Sequence, residues 1–284
     1  MSEDEGTDVT SISPEFPKNW RKGNPVGHGG SVYEIIDDSE PNEVKFVGKD
    51  VSVATARTDK EKNIRELKIL ERIRHQRIVA FHGYQQKPDV LTIFFKYIKL
   101  GSVAKLIADR GSPLDEATVR LYTRQILEGL NYLHNNEPTI IHRNVKGENV
   151  LLESPGNVQL TNFGLSKILH SQTKARSNVG TSYWMAPEII QGAGLSSYDV
   201  RADIWSVGCT VVEMTTGHPP FHHLNPNQAA FKIGSGERPD YRLPDGTSRQ
   251  MVKFLERTFK RNYKDRPSAE DLLKSDPFVA AGKL

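Results

Sequence analysis

The chain has 284 residues, of which 37% are hydrophobic and 26% charged, and a formal net charge of +3. That is ample for a large core in one domain or two closely packed lobes, while bases scattered among acids exclude a nucleic-acid stripe. No run approaches the ~18 apolar residues of a membrane helix, and the acidic start Met1–Asp8 lacks the basic, apolar profile of a secretory signal. A cytoplasmic protein is expected, with the lone Cys209 as a buried structural thiol.

Residues 1–16 are polar and predict a flexible acidic tail. From Asn19 to Phe95 short apolar runs, Val44 to Val53 and Val90 to Phe95 among them, are punctuated by Gly, Pro, Asn and Asp, as strands and turns require. One helix is predicted over 60–72, with Ile64, Leu67 and Leu70 on one face and Glu61 to Arg65 as an i,i+4 pair. The second half is helical. Asp115 is the expected N-cap of a helix reaching Asn135, in which Val119, Tyr122, Ile126, Leu130 and Leu133 recur at helical spacing. Another helix starts near Val200, and its run Ile204, Trp205, Val207, Cys209, Val211, Val212 and Met214 leaves almost no polar face, predicting burial all round. A sheet-rich part with one helix followed by a larger helical part is an α+β order.

Several short motifs carry chemistry. The loop Gly27-His28-Gly29-Gly30-Ser31-Val32 lies between strand-like runs, where glycines let backbone amides approach phosphates, although by itself it is equally a ligand-free hairpin. Phe46-Val47-Gly48-Lys49 places one lysine among apolar strand neighbours, and Glu66 follows on the predicted helix. Later come His142-Arg143-Asn144-Val145-Lys146-Gly147-Glu148-Asn149, then Asn162-Phe163-Gly164, then Gly180 to Glu188, Asp203 to Gly208, and Asp265-Arg266-Pro267.

In order and spacing these motifs resemble those of protein kinases, over residues 19–278. The resemblance implies a bilobal fold, with a small β-rich N-lobe at 19–95, a hinge at 96–98 and a mainly helical C-lobe at 99–278. Gly27, Gly29, Gly30 and Val32 match the nucleotide loop, shortened by two residues. Lys49 and Glu66 match the pair that orients a lysine toward the α- and β-phosphates, with Gly48 in place of a bulky residue, and Tyr97 lies in the adenine-binding hinge. Asn149 matches a metal ligand and Lys146 a phosphate contact. His142, Arg143, Asp203 and the expected buried ion pair Glu188–Arg266 match the scaffold. Lys105 stands where relatives use an acid for the ribose. Val179 replaces an activating threonine, leaving Ser171, Thr173 and Ser177 as candidate phosphosites. The runs Asn19-Trp20-Arg21, His75 to Val79, Tyr122 to Gly129 and Ala202 to Met214 are similar to Ste11-type MAP kinase kinase kinases.

The departure is at the chemical centre. The family's base aspartate is Asn144, and its magnesium-binding aspartate is Asn162. An amide is nearly isosteric with a carboxylate but cannot take the substrate's proton, a role worth ~10²- to 10⁴-fold, and it offers a metal only a neutral oxygen. The expectation is a pseudokinase that acts by contact with kinases of a MAP kinase cascade or their substrates, with ATP and Mg²⁺ binding weakened or absent. The alternative is an ATP-dependent serine/threonine kinase of low activity. Two engineered substitutions would not account for the short glycine loop, Gly48, Lys105 and Val179 together.

Overall fold

The computed structural model describes residues 9–27, 30–52, 57–87, 89–163, 182–192 and 199–280, without the side chains of Val9 and of 57–63. Its chain divides into two compact units, one ending at Ile98 and one beginning at Lys99.

Among the described residues the first unit is a six-stranded antiparallel sheet with one helix. Its strands are β1 (Val9–Ile12), β2 (Trp20–Pro25), β3 (Val32–Asp37), β4 (Phe46–Ser52), β5 (Phe81–Gln86) and β6 (Val90–Lys96), and helix α1 spans Arg57–Leu70. The spatial order is β1-β5-β6-β4-β3-β2. Period-2 burial fits the sequence pattern: in β3, Tyr33 and Ile35 are buried and their neighbours are only half so. They join Phe16, Phe46 and Phe94 in an aromatic core on one face of the sheet.

That core corrects the expected tail over 9–16, while residues 1–8 lie outside the described residues. Val9–Ile12 pairs with Gly83–Gln86, and Phe16 is buried with its ring 4.3 Å from that of Phe94. A polar segment can still form an edge strand, because the pairing is made by backbone groups and a single aromatic residue supplies the anchor. The helix expected over 60–72 lies at 57–70. Leu67 and Leu70 are buried as expected, Ile64 only partly, and the side chain of Glu61 lies outside the described residues.

Gly48 has a packing reason. A Cβ there would lie 2.8 Å from the Tyr33 ring, its register partner on β3, so the tyrosine fills the space that a bulky residue would take. Tyr33 and Thr92 donate to Asp50 Oδ1 at 2.7 Å each, and Lys22 donates to Asp50 Oδ2 at 2.5 Å. Burial and then the Asp50 contact push the Tyr33 phenol well above its usual pKa.

The second unit is mainly helical. It contains α2 (Val103–Arg110), α3 (Glu116–His134), a hairpin of β7 (Val150–Ser154) and β8 (Asn157–Leu160), α4 (Pro187–Ile190), α5 (Arg201–Thr216), α6 (Pro226–Ser235), α7 (Arg249–Thr258), α8 (Ala269–Ser275) and α9 (Pro277–Ala280). The Asp115 side chain caps α3 by accepting from Thr118 N at 2.8 Å. Helix α5 is buried from Ala202 through Thr215, as its lack of a polar face predicts. Cys209 is a buried thiol within it. Among the described residues no helix is long and apolar enough to cross a membrane.

Candidate functional site

In the first unit, Val32 and Lys49 are direct partners across β3 and β4, so both side chains project from the same face, opposite the aromatic core. Gly27 and Gly30 adopt left-handed φ values of 75° and 65°. A Cβ would meet nothing at either position, so glycine is favoured there by conformation and not by crowding. Gly29 lies outside the described residues. Glu66 is half-buried on α1 with its Oε2 shielded from water, and neither Lys49 nor Glu66 lacks a partner. Tyr97 is half-buried after β6, with its amide donating to Lys45 O at 2.8 Å, and burial raises its phenol pKa.

In the second unit, residues 142–149 are held by two carboxylates from α5. Asp203 is fully buried and accepts from His142 N at 2.8 Å and Arg143 N at 2.7 Å, and it pairs with His134 Nε2 at 2.8 Å. Burial pushes this carboxyl up, but the His134 hydrogen bond and the neighbouring imidazoles outweigh it, leaving the group below the usual carboxylate range. These bonds hold Arg143 at a left-handed φ of 66°. His142 is fully buried, and desolvation depresses its pKa to about 4, so it is neutral at physiological pH.

The second carboxylate, Glu213, was not singled out from sequence. Its Oε2 accepts from Gly147 N at 2.9 Å and Trp184 Nε1 at 3.0 Å, linking the 142–149 segment to the segment before α4. Burial raises its pKa to about 7. A Cβ on Gly147 would lie 2.5 Å from Glu213 Oε1, so only glycine lets the backbone come this close. The signal was present: a second acid, after Asp203, inside a helix buried on all sides has to find donors.

Between these anchors the three asparagines form a chain of amides. Asn149 Nδ2 donates to the Asn144 carbonyl at 2.7 Å, and Asn162 Nδ2 donates to Asn149 Oδ1 at 2.7 Å. Asn162 has a left-handed φ of 62°, a conformation that asparagine tolerates better than most residues, and Phe163 beside it is buried. The side-chain oxygen of Asn144 is shielded from water and has no hydrogen-bond partner among the described residues. Lys146 pairs with Glu148 at 2.6 Å and lies 5.6 Å from the Trp184 ring centre.

The scaffold residues come together. Arg266, with no exposed side-chain surface, donates from Nη1 and Nη2 to the two Glu188 oxygens at 2.6 and 2.7 Å. It also donates to the carbonyls of Lys260, Arg201 and Arg261, so every face of the guanidinium is satisfied. Lys105 is exposed and pairs with Asp109 along α2 at 2.7 Å. Gly164, Ser171, Thr173, Ser177 and Val179 fall outside the described residues.

A sheet unit with one helix, a helical unit, and this set of anchors define the protein kinase fold, and the chain belongs to the protein kinase domain family, which it matches over residues 20–278. It is 41% identical over 275 residues to mitogen-activated protein kinase kinase kinase 3 of Mus musculus, covering 93% of this chain and 43% of the relative. It is 38% identical over 288 residues to mitogen-activated protein kinase kinase kinase 1 of Arabidopsis thaliana, covering 97% and 46%. It is also 38% identical over 270 residues to the Arabidopsis thaliana mitogen-activated protein kinase kinase kinase YODA, covering 93% and 29%. The chain thus spans less than half the length of these curated relatives.

Proposed function

We propose that this chain is a kinase-fold protein similar to MAP kinase kinase kinases that acts mainly by contact with kinases of a MAP kinase cascade or their substrates, with little or no phosphoryl transfer of its own. The observation that carries the reading is the bond from Asn162 Nδ2 to Asn149 Oδ1. These are the two positions expected to ligate magnesium. A hard dication wants anionic or carbonyl oxygens converging on it. Here one candidate oxygen already accepts a hydrogen bond, and the group expected to supply a carboxylate presents an N–H instead. The donor set therefore does not suit magnesium, and no step of a transfer reaction is derived through it.

The missing base argues in the same direction. Asn144 has no group that could accept a substrate proton near neutral pH. The anchors around it are intact: Asp203, Glu213, Glu188 and Arg266 hold the surrounding backbone in place without taking part in chemistry. Intact anchors beside two neutral amides suit recognition over transfer.

Purified protein incubated with radiolabelled ATP and a generic protein acceptor tests this reading. Background incorporation, unaffected by Lys49→Ala, is expected. Incorporation that Lys49→Ala abolishes overturns it in favour of a low-activity serine/threonine kinase. Thermal shift with ATP, with and without Mg²⁺, is expected to show no magnesium-dependent stabilisation.

A further inference from the structure

The segment between β1 and the buried Phe16 reads Ser13-Pro14-Glu15-Phe16, closed by a hydrogen bond from Phe16 N to Ser13 O at 3.0 Å. Proline at the second position of this turn pre-sets its φ. Ser13 is the last link between β1 and the rest of the sheet: its amide donates to His82 O at 2.8 Å, and its hydroxyl shares a hydrogen bond with His82 Nδ1 at 3.1 Å. Pro14 and Glu15 are exposed.

We propose that Ser13 is a phosphorylation site for a serine/threonine kinase that selects proline at the following position, and that its phosphate locks β1 onto β5. In the modification the Ser13 Oγ–P bond forms as the bond from the ATP γ-phosphorus to the departing ADP breaks, and the hydroxyl proton passes to the modifying kinase. Access requires that the two Ser13–His82 hydrogen bonds open and that β1 peel away. It is a four-residue strand at the sheet edge, paired on one side, and such segments open at low free-energy cost.

Re-docking brings the phosphate to His82, which the charges of Arg74 and Lys96 reach as well as that of Glu15. The nearest group is the His82 imidazole, whose ring packs edge-on against Phe46 at 4.8 Å and so is held in place. Burial lowers the pKa of His82, and the nearby positive charges of Arg74 and Lys96 lower it further. A dianion reverses that balance, because it favours the imidazolium and accepts its N–H as a charge-assisted hydrogen bond. The opposing charge is Glu15, 4.0 Å from His82 Nδ1, but its side chain is 79% exposed and can swing into solvent.

The lock reaches α1. Ser11 Oγ donates to Glu71 Oε1 at 2.5 Å, and Glu71 N still bonds to Leu67 O at 3.1 Å as a continuation of that helix. Fixing β1 therefore clamps the end of the helix that carries Glu66.

The test uses the full chain, ATP and a purified proline-directed serine/threonine kinase, with site mapping and amide hydrogen exchange. It does not depend on any activity of the chain itself. The expected result is incorporation at Ser13 that Ser13→Ala abolishes, with protection of the β1 amides rising about tenfold, the effect of one charge-assisted hydrogen bond. The gain should shrink at high salt and be absent when phosphorylated His82→Gln is compared with its own unmodified form. No incorporation at Ser13, β1 amides that exchange as fast or faster after modification, or an undiminished gain in His82→Gln would each overturn the proposal.

Discussion

The Glu188–Arg266 pair and the Asn144–Asn149–Asn162 chain lie in the same unit and treat charge in opposite ways. At the first, a guanidinium and a carboxylate are taken out of water and satisfied by five hydrogen bonds from the arginine. At the second, every polar side chain is a neutral amide, bonded to its neighbour or, in Asn144, shielded from water. Full charge is present where it organises backbone, and neutral amides stand at the two positions where the family's chemistry uses carboxylates. The groups that hold this part of the fold are thus separate from the two positions where amides replace the family's carboxylates.

The comparison breaks most visibly at Arg266. Arg266→Met should lower unfolding free energy by ~3–5 kcal/mol, because Glu188 is left with an uncompensated charge. Adding Glu188→Gln should recover part of the loss in denaturant titrations. If the single variant is nearly neutral, the ion pair does not hold this part of the fold.

A second prediction concerns pH. His142, neutral down to about pH 4 when folded against 6.5 unfolded, binds fewer protons folded, so its contribution to stability rises with pH across that window. Glu213, protonated up to about pH 7 when folded against 4.5 unfolded, binds more protons folded, so its contribution falls as pH rises through nearly the same window. Each is worth about 3 kcal/mol and the two largely cancel. Glu213→Gln should remove the falling member, so that stability climbs more steeply between pH 4.5 and 6.5 than in the parent. An unchanged pH profile would show that Glu213 is ionised throughout.

Smaller effects sharpen the other half of the comparison. Asn162→Asp removes the donor to Asn149 Oδ1 and puts a carboxylate oxygen in its place, costing ~1–3 kcal/mol without a cation. Added Mg²⁺ should restore the loss, and the parent should show no such response. Asn144→Asp with Asn162→Asp should gain phosphotransfer only if the glycine loop still holds nucleotide. The smallest effect is expected at Lys105→Ala, where an exposed i,i+4 pair is worth ~0.3–0.5 kcal/mol in thermal unfolding.

Much of this was readable beforehand. The Asp115 cap and the buried helix α5 follow from local capping chemistry and helical periodicity, and the Glu188–Arg266 pair from the resemblance to protein kinases. Gly48 was read as a defect of the nucleotide site because its compensation by Tyr33 crosses between strands, and cross-strand contacts leave no trace in linear spacing. The segment at 9–16 was read as a tail because polar residues conceal a strand whose stability comes from backbone pairing and one phenylalanine.

The sequence by itself determined which groups are charged and which are not: Asn144 and Asn162 are amides in any fold, and no packing can make them bases. Only the tertiary structure decided what those amides do instead, because a hydrogen bond between residues thirteen positions apart depends on how the chain returns on itself. The same is true of Glu213, whose partners Gly147 and Trp184 come from separate segments. Residue chemistry is local, whereas the satisfaction of buried polar groups is a property of the whole unit.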